Sequence, residues 1–117
     1  MSIQDKNSIK QIEVITNELE KFSQDREWQQ FHNPKDLAIA LSIEVSELLE
    51  QFLWKTPDQA DRSKIKEELA DVLSYAFLLA KKLEIDVEQA IMEKIQVNQC
   101  KYPIELAKGN SKKYLEF

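Results

Sequence analysis

The stretch LAIALSIEVSELLEQFLW, Leu37 to Trp54, decides the fold. Its apolar residues return every three or four positions, the period of a helix, and Glu44 falls inside the arc that Leu37, Leu41 and Leu48 define. The preceding NPKD is a start signal. Asn33 can cap the helix, Pro34 suits its first position, and Asp36 meets the positive end of the backbone dipole. The spacing predicts a helix from Pro34 to about Trp54 with a carboxylate on its apolar face. Glu47, three residues on, occupies a neighbouring part of that face, whereas Glu50 turns away toward Ile43 and Ser46.

A second stretch, EELADVLSYAFLLA, repeats the feature. Glu68 and Asp71 are three apart, with Val72, Tyr75 and Leu79 on their side, in a helix expected from about Ser63 to Leu83. Glu67 competes with Glu68 for the inward position, and the apolar phase favours Glu68. A single Glu-x-x-Glu is commonly a solvated helix face. Two acidic pairs, each set in an apolar arc, are different: four unpaired carboxylates in one low-dielectric region repel and are costly to desolvate, so they take up protons or a cation. Oxygen donors without a histidine at ligand spacing suit a hard ion, magnesium or manganese, and not zinc or a di-iron centre.

Outward from these two helices the chain reads as helix throughout. One glycine and three prolines in 117 residues leave little of the turn chemistry that hairpins need. Ile9, Ile12, Ile15, Leu19 and Phe22 mark a first helix from about Ser8 to Gln24, and DREWQQFH follows as a turn or irregular helix. TPDQ at 56–59 repeats the cap-proline logic, and Asp86 with Gln89 opens a fourth helix that Pro103 ends. The remainder, about 104–117, reads as a surface tail with Tyr114 or Phe117 as an anchor. The expectation is an all-α single domain over 1–117.

Composition excludes several classes. Hydrophobic residues at 43% and charged residues at 32% describe a globular chain, and no apolar run is long enough to cross a bilayer. A formal charge of -5 with no basic face disfavours a nucleic-acid polymer as partner. The opening MSIQDKNSIK lacks the pattern of a secretory signal, which points to the cytoplasm. Cys100 is the one cysteine and reads as structural. At 117 residues a single core is thin, so help from a second copy is anticipated.

The fourth helix places Lys94, Asn98 and Tyr102 at successive i, i+4 positions along one stripe, and two tryptophans, Trp28 and Trp54, offer flat apolar faces of the kind a nucleobase stacks on. With FSQDREWQQFHNP, EVSELLEQFLWK, EELADVLSYAFLLA, NQCKYP and KGNSKKY in hand, the sequence resembles the MazG-like nucleotide pyrophosphohydrolases, most closely their small dCTP pyrophosphatase branch.

The resemblance implies a four-to-five-helix bundle, assembled as an intertwined homodimer or a dimer of dimers. It implies magnesium-dependent hydrolysis of a nucleoside triphosphate, dCTP by preference, to monophosphate and pyrophosphate, a house-cleaning activity. By position, Glu44, Glu47, Glu68 and Asp71 match the metal ligands and catalytic acids, with Glu47 the candidate to take a proton from the attacking water. Lys94, Asn98 and Tyr102 match phosphate and sugar contacts. Trp28, His32 and Trp54 match base-pocket positions, and Tyr75 lies beside the acids. Ser46 and Leu49 depart from the smaller residues of close relatives, and the connection after Trp54 is short, which puts base preference more than reaction type in question. Hydrolysis of dUTP or of many triphosphates, and a helical nucleotide-binding module without turnover, are the alternative readings.

Overall fold

A computed structural model describes residues 3–117, with side chains from Gln11 onward, so the expectation for Ile9 lies outside the described side chains. Five α-helices follow one another: α1 (Ile3–Asp25), α2 (Pro34–Glu50), α3 (Arg62–Lys82), α4 (Val87–Lys101) and a single turn, α5 (Ile104–Ala107). Short 3-10 helices sit at Trp28–Phe31, Pro57–Gln59 and Tyr114–Glu116, and there is no strand among the described residues. The chain forms two compact units, one ending at Ile85 and one running from Asp86 to Phe117.

The helix starts are where local chemistry puts them. The Asn33 side chain accepts from the Asp36 backbone N–H at 2.9 Å and donates to the Asp36 carboxylate at 2.6 Å, so α2 begins with its free N–H groups met. Gln59 Oε1 accepts from the Thr56 N–H at 2.9 Å, Asp61 caps α3 through the Ser63 N–H at 2.9 Å, and Asp86 caps α4 through the Gln89 N–H at 3.0 Å.

The end of α2 differs from the expectation. The helix stops at Glu50, and the N–H groups of Gln51, Phe52 and Leu53 turn to carbonyls three residues back, those of Leu48, Leu49 and Glu50. Trp54 then adopts a left-handed backbone, φ 60°, with its side chain 93% exposed. Apolar periodicity continued to Trp54 because the turn residues are themselves apolar, with no glycine or proline before Pro57 to announce the break.

In the first unit α2 packs along α3, and α1 packs on α3. Leu37 approaches Leu78 at one place and Glu44 approaches Asp71 at another, so α2 and α3 run antiparallel. Leu37, 1% exposed, is the buried hydrophobic residue among those described. The inward face of α1 is more polar than the isoleucine spacing suggested: Thr16 and Ser23 are buried, while Ile15 and Phe22 are about half exposed. Both hydroxyls are satisfied on their own helix, Thr16 donating to the Ile12 carbonyl at 2.8 Å and Ser23 to that of Leu19 at 3.0 Å. Small residues that silence their own polarity can go inside at little cost.

In the second unit the segment after Pro103 is not a bare tail. Tyr102 meets Tyr114 and Phe117 edge-on, with ring centroids 6.0 and 5.9 Å apart, and the Lys101 ammonium lies 4.8 Å from the Tyr114 ring centre. Both candidate anchors are therefore used, and they fold the C-terminal residues onto the end of α4.

Because Leu37 is fully enclosed, Leu37→Ala should lower unfolding free energy by about 2–5 kcal/mol, the usual range for a large-to-small core change. Chemical denaturation at fixed protein concentration measures this, and a loss within the scatter of surface substitutions would count against Leu37 as the core of the unit.

Candidate metal centre

One turn of α2 and one of α3 bring acids face to face. One carboxylate oxygen from each of Glu44, Glu68 and Asp71 lies within 4.8 Å of the others. Glu44 and Glu68 are part-buried and Asp71 is exposed, so the group sits at the edge of the helix pair, open on one side. Glu47, one turn along α2 from Glu44, lies close enough to both glutamates to raise their carboxyls. Tyr75, one turn along α3 from Asp71, completes the neighbourhood. Its hydroxyl is pushed above the usual phenol range by burial and then by the charges of Glu44, Asp71 and Glu47. Glu67, the rival of Glu68, stays exposed outside the trio.

The electrostatics are those of an uncompensated cluster. Glu44 is raised to about 7, first by burial, next by its contact with Glu47, then by the charges of Glu47, Asp71 and Glu68. Glu68 is raised as well, by burial and by the Glu47 charge ahead of the remaining contributions. The Oε2 atoms of Glu44 and Glu68 are buried and have no hydrogen-bond partner. Buried acceptors left unmet are uncommon and costly. Two of them, in a group whose oxygens already lie within one coordination sphere, fit a hard divalent cation. Glu88 Oε2 on α4 is also buried without a partner, but no second acid joins it in a metal-sized group among the described residues.

The surroundings of the other candidate residues differ. Trp28 meets Phe22 edge-on at 5.7 Å and is 44% exposed. His32 lines a cavity with Ser23, Gln29, Leu37 and Leu78, and is held below the usual histidine range by burial and by the Lys82 charge. Trp54 stands almost free at its left-handed turn. In the second unit Lys94 and Asn98 are exposed on α4, and Tyr102 is half buried against Tyr114 and Phe117. Ser46 bonds back to the Ser42 carbonyl at 3.1 Å and Leu49 is 70% exposed, so both substitutions fall on the outer face of α2. Sequence reading passed over Glu20, Ser23 and Gln29 of the His32 cavity, since isolated polar residues on α1 and in a turn carry no pattern.

Residues 39–117 match the MazG-like family, a span that holds both acidic pairs and the whole of α3 and α4. The chain belongs to the MazG-like family. Human dCTP pyrophosphatase 1 is 39% identical over 104 residues, 82% of this chain and 61% of that protein, and its mouse counterpart is 38% identical over the same shares. The chain thus spans about three fifths of the length of these curated relatives. The crystal structure of a pyrophosphatase from Archaeoglobus fulgidus is similar with a TM-score of 0.74 at 37% identity, covering 80% of this chain and 93% of that one.

For a MazG-like chain the raised carboxylates have a measurable consequence. A folded-state value above the unfolded one means that folding favours the protonated form, so the stability Glu44 contributes is present below about 4.5 and is lost as pH rises through about 7. The metal-free protein should therefore melt at progressively lower temperature between pH 5 and 8. Divalent metal should reverse that trend, and Glu44→Gln should raise the metal-free melting temperature at pH 8 while removing the metal effect. Thermal scans with and without chelator test this. A flat metal-free profile would remove the crowding argument.

Proposed function

We propose that the chain hydrolyses (deoxy)nucleoside triphosphates, dCTP by preference, to the monophosphate and pyrophosphate in a magnesium-dependent reaction, keeping the cytoplasmic nucleotide pool clean. The observation that carries this reading is the group of Glu44, Glu68 and Asp71, with Glu47 beside it, and its two orphaned buried oxygens. The names of the human, mouse and archaeal relatives support the reaction class.

On this reading the four acids hold magnesium, with manganese as a substitute. When bound, the metal screens and orients the triphosphate and promotes attack by water at phosphorus. The protein's own part is to position and to accept. Glu47, close to both neighbouring glutamates, is the carboxylate suited to take the proton of the attacking water. Lys94 supplies a positive charge for phosphate, and Asn98 and Tyr102 supply hydrogen bonds. Trp28, His32 and Trp54 serve the base, and the Tyr75 hydroxyl, kept protonated, can donate toward bound phosphate or sugar.

A homodimer or dimer of dimers belongs to the same proposal. Ile39, Ile43 and Leu49 leave the outer face of α2 apolar, at 48%, 52% and 70% exposure, and Leu69 and Leu73 do the same on α3. A helix apolar on both faces needs partners on both. Light scattering should give a mass at least twice 13.7 kDa, and Ile43→Glu should reduce it. A monodisperse monomer of the unaltered chain would rule the assembly out.

The reaction is tested by incubating the protein with each dNTP and NTP, with and without Mg²⁺, and resolving monophosphate plus pyrophosphate from diphosphate plus phosphate. Mg²⁺-dependent dCMP and pyrophosphate are expected. Glu47→Gln and Asp71→Asn should each lose ~10²-fold or more in kcat while remaining folded. Undiminished turnover in both variants would overturn the site.

A further inference from the structure

Tyr102 stands where α4 ends, and its own helix does little to fix it. Its N–H still bonds to the Asn98 carbonyl at 2.8 Å, but its backbone has left the helical region, φ -125° and ψ 69°, as the following Pro103 requires. Lys94 and Asn98, the other members of its stripe, are exposed, whereas Tyr102 is half buried. The rings that enclose it, Tyr114 and Phe117, come from a later part of the chain.

Local chemistry turns the chain back. Gly109 takes a left-handed backbone, φ 81°, with open space around the position of a side chain, so conformation and not crowding asks for glycine there. The Asn110 side chain donates to the Leu106 carbonyl at 2.9 Å and accepts from the Lys112 N–H at 3.0 Å, which closes the turn from both sides. The Glu116 carboxylate then accepts from the Lys113 N–H at 3.0 Å and shapes the 3-10 helix Tyr114–Glu116. Within it Leu115 is 82% exposed, so the turn spends its leucine on solvent and its tyrosine on Tyr102.

The contacts are directional. Tyr114 stands at 79° to the Tyr102 ring plane and Phe117 at 89°, with centroids 6.0 and 5.9 Å away, the edge-on geometry that aromatic quadrupoles favour. Two such neighbours restrict both the tilt and the swing of one ring. The Lys101 ammonium, 4.8 Å from the Tyr114 ring centre, holds Tyr114 in turn. Charge along the same stretch suits an anion: from Lys94 to Lys113 the chain has five lysines and one carboxylate, Glu105, against a formal charge of -5 for the whole.

We propose that Tyr114 and Phe117 are positioning residues: they hold the Tyr102 ring so that its hydroxyl is aimed at the bound nucleotide, which makes the folded-back segment part of the binding machinery. The proposal rests on the triphosphate-hydrolase reading above, in which Tyr102 donates to phosphate or sugar, and deepens it. Both rings act through Tyr102 and not on the substrate. A side chain already fixed loses little rotamer freedom when the ligand arrives, whereas a free one must be ordered at that moment. The gain is the same for substrate and transition state, so it belongs to KM and not to kcat.

The test uses the intact chain with Mg²⁺. KM and kcat for dCTP, and Kd for its non-hydrolysable α,β-imido analogue, are measured for the unaltered protein, Tyr114→Leu, Phe117→Leu and Tyr114→Phe, with Leu115→Ala as the exposed control from the same turn. Leucine keeps apolar volume, so the segment stays folded, but it removes the ring edge. Tyr114→Leu and Phe117→Leu should each raise KM and Kd about five- to tenfold, with kcat moving by less than about twofold. Tyr114→Phe, which keeps the ring, and Leu115→Ala should match the unaltered protein. In a Tyr102→Phe background the Tyr114→Leu penalty should vanish, because the hydroxyl being aimed is gone, whereas a loss of general stability would persist there. Unchanged KM and Kd in both leucine variants, or a Tyr114→Leu penalty that adds in full to that of Tyr102→Phe, would overturn the proposal. Analogue binding that depends on Tyr114 in a protein without turnover would instead overturn the hydrolase reading and leave the positioning role standing.

Discussion

Repulsion between carboxylates across the seam of α2 and α3 is the constraint that the rest of the first unit is arranged around. Glu44, Glu68 and Asp71 are held within one coordination sphere by two antiparallel helices, and the cost appears as a Glu44 carboxyl raised to about 7 and two buried oxygens with nothing to bind. Such a cluster persists only where the surrounding packing overdetermines it. The helix caps do part of that work, since Asn33 and Asp61 fix where α2 and α3 begin and hence which residues come opposite one another. Leu37, enclosed by its neighbours, anchors one end of the seam.

What holds the seam is unusually thin for the demand placed on it. One fully enclosed leucine and two self-satisfied hydroxyls on α1 do not make a large core, while the outer faces of α2 and α3 keep isoleucines and leucines half in water. The two facts are one: a helix that turns an apolar face both ways cannot bury both against a single neighbour. The proposed homo-oligomer answers this by placing a second apolar layer where the chain has none. It would also stiffen α2 from behind, which helps keep like charges together on its inner face.

Much of this was legible in the sequence because it is written in period. The all-helical class, the caps at Asn33 and Asp86, and the approach of Glu68 in place of Glu67 follow from spacing and from residues whose chemistry has few other uses. What was not legible had no period to show. The end of α2 at Glu50 is hidden because Phe52, Leu53 and Trp54 prolong the apolar pattern through a turn. The inward face of α1 is hidden because Thr16 and Ser23 lose their polarity to backbone carbonyls only once the helix exists. The His32 cavity is hidden because it draws residues from elements far apart in the chain, and no window along the chain contains it.

The seven-residue interval between Leu37 and Glu44 on α2, and between Asp71 and Leu78 on α3, separates the two chemical ends of the seam. Positions seven apart stay on one face of both helices, so a straight antiparallel pair carries a fixed distance between the acids and the two leucines of the His32 cavity, set by helix rise and not by loop conformation. If phosphates occupy one end and a base the other, specificity and chemistry sit on one rigid element yet share no side chain. On the proposed reading, changes beside His32 alter which base is accepted without disturbing the charge balance around Glu44. Changes among the acids can abolish turnover and leave the base end intact. Divergence of base preference within a single reaction class is what that separation permits.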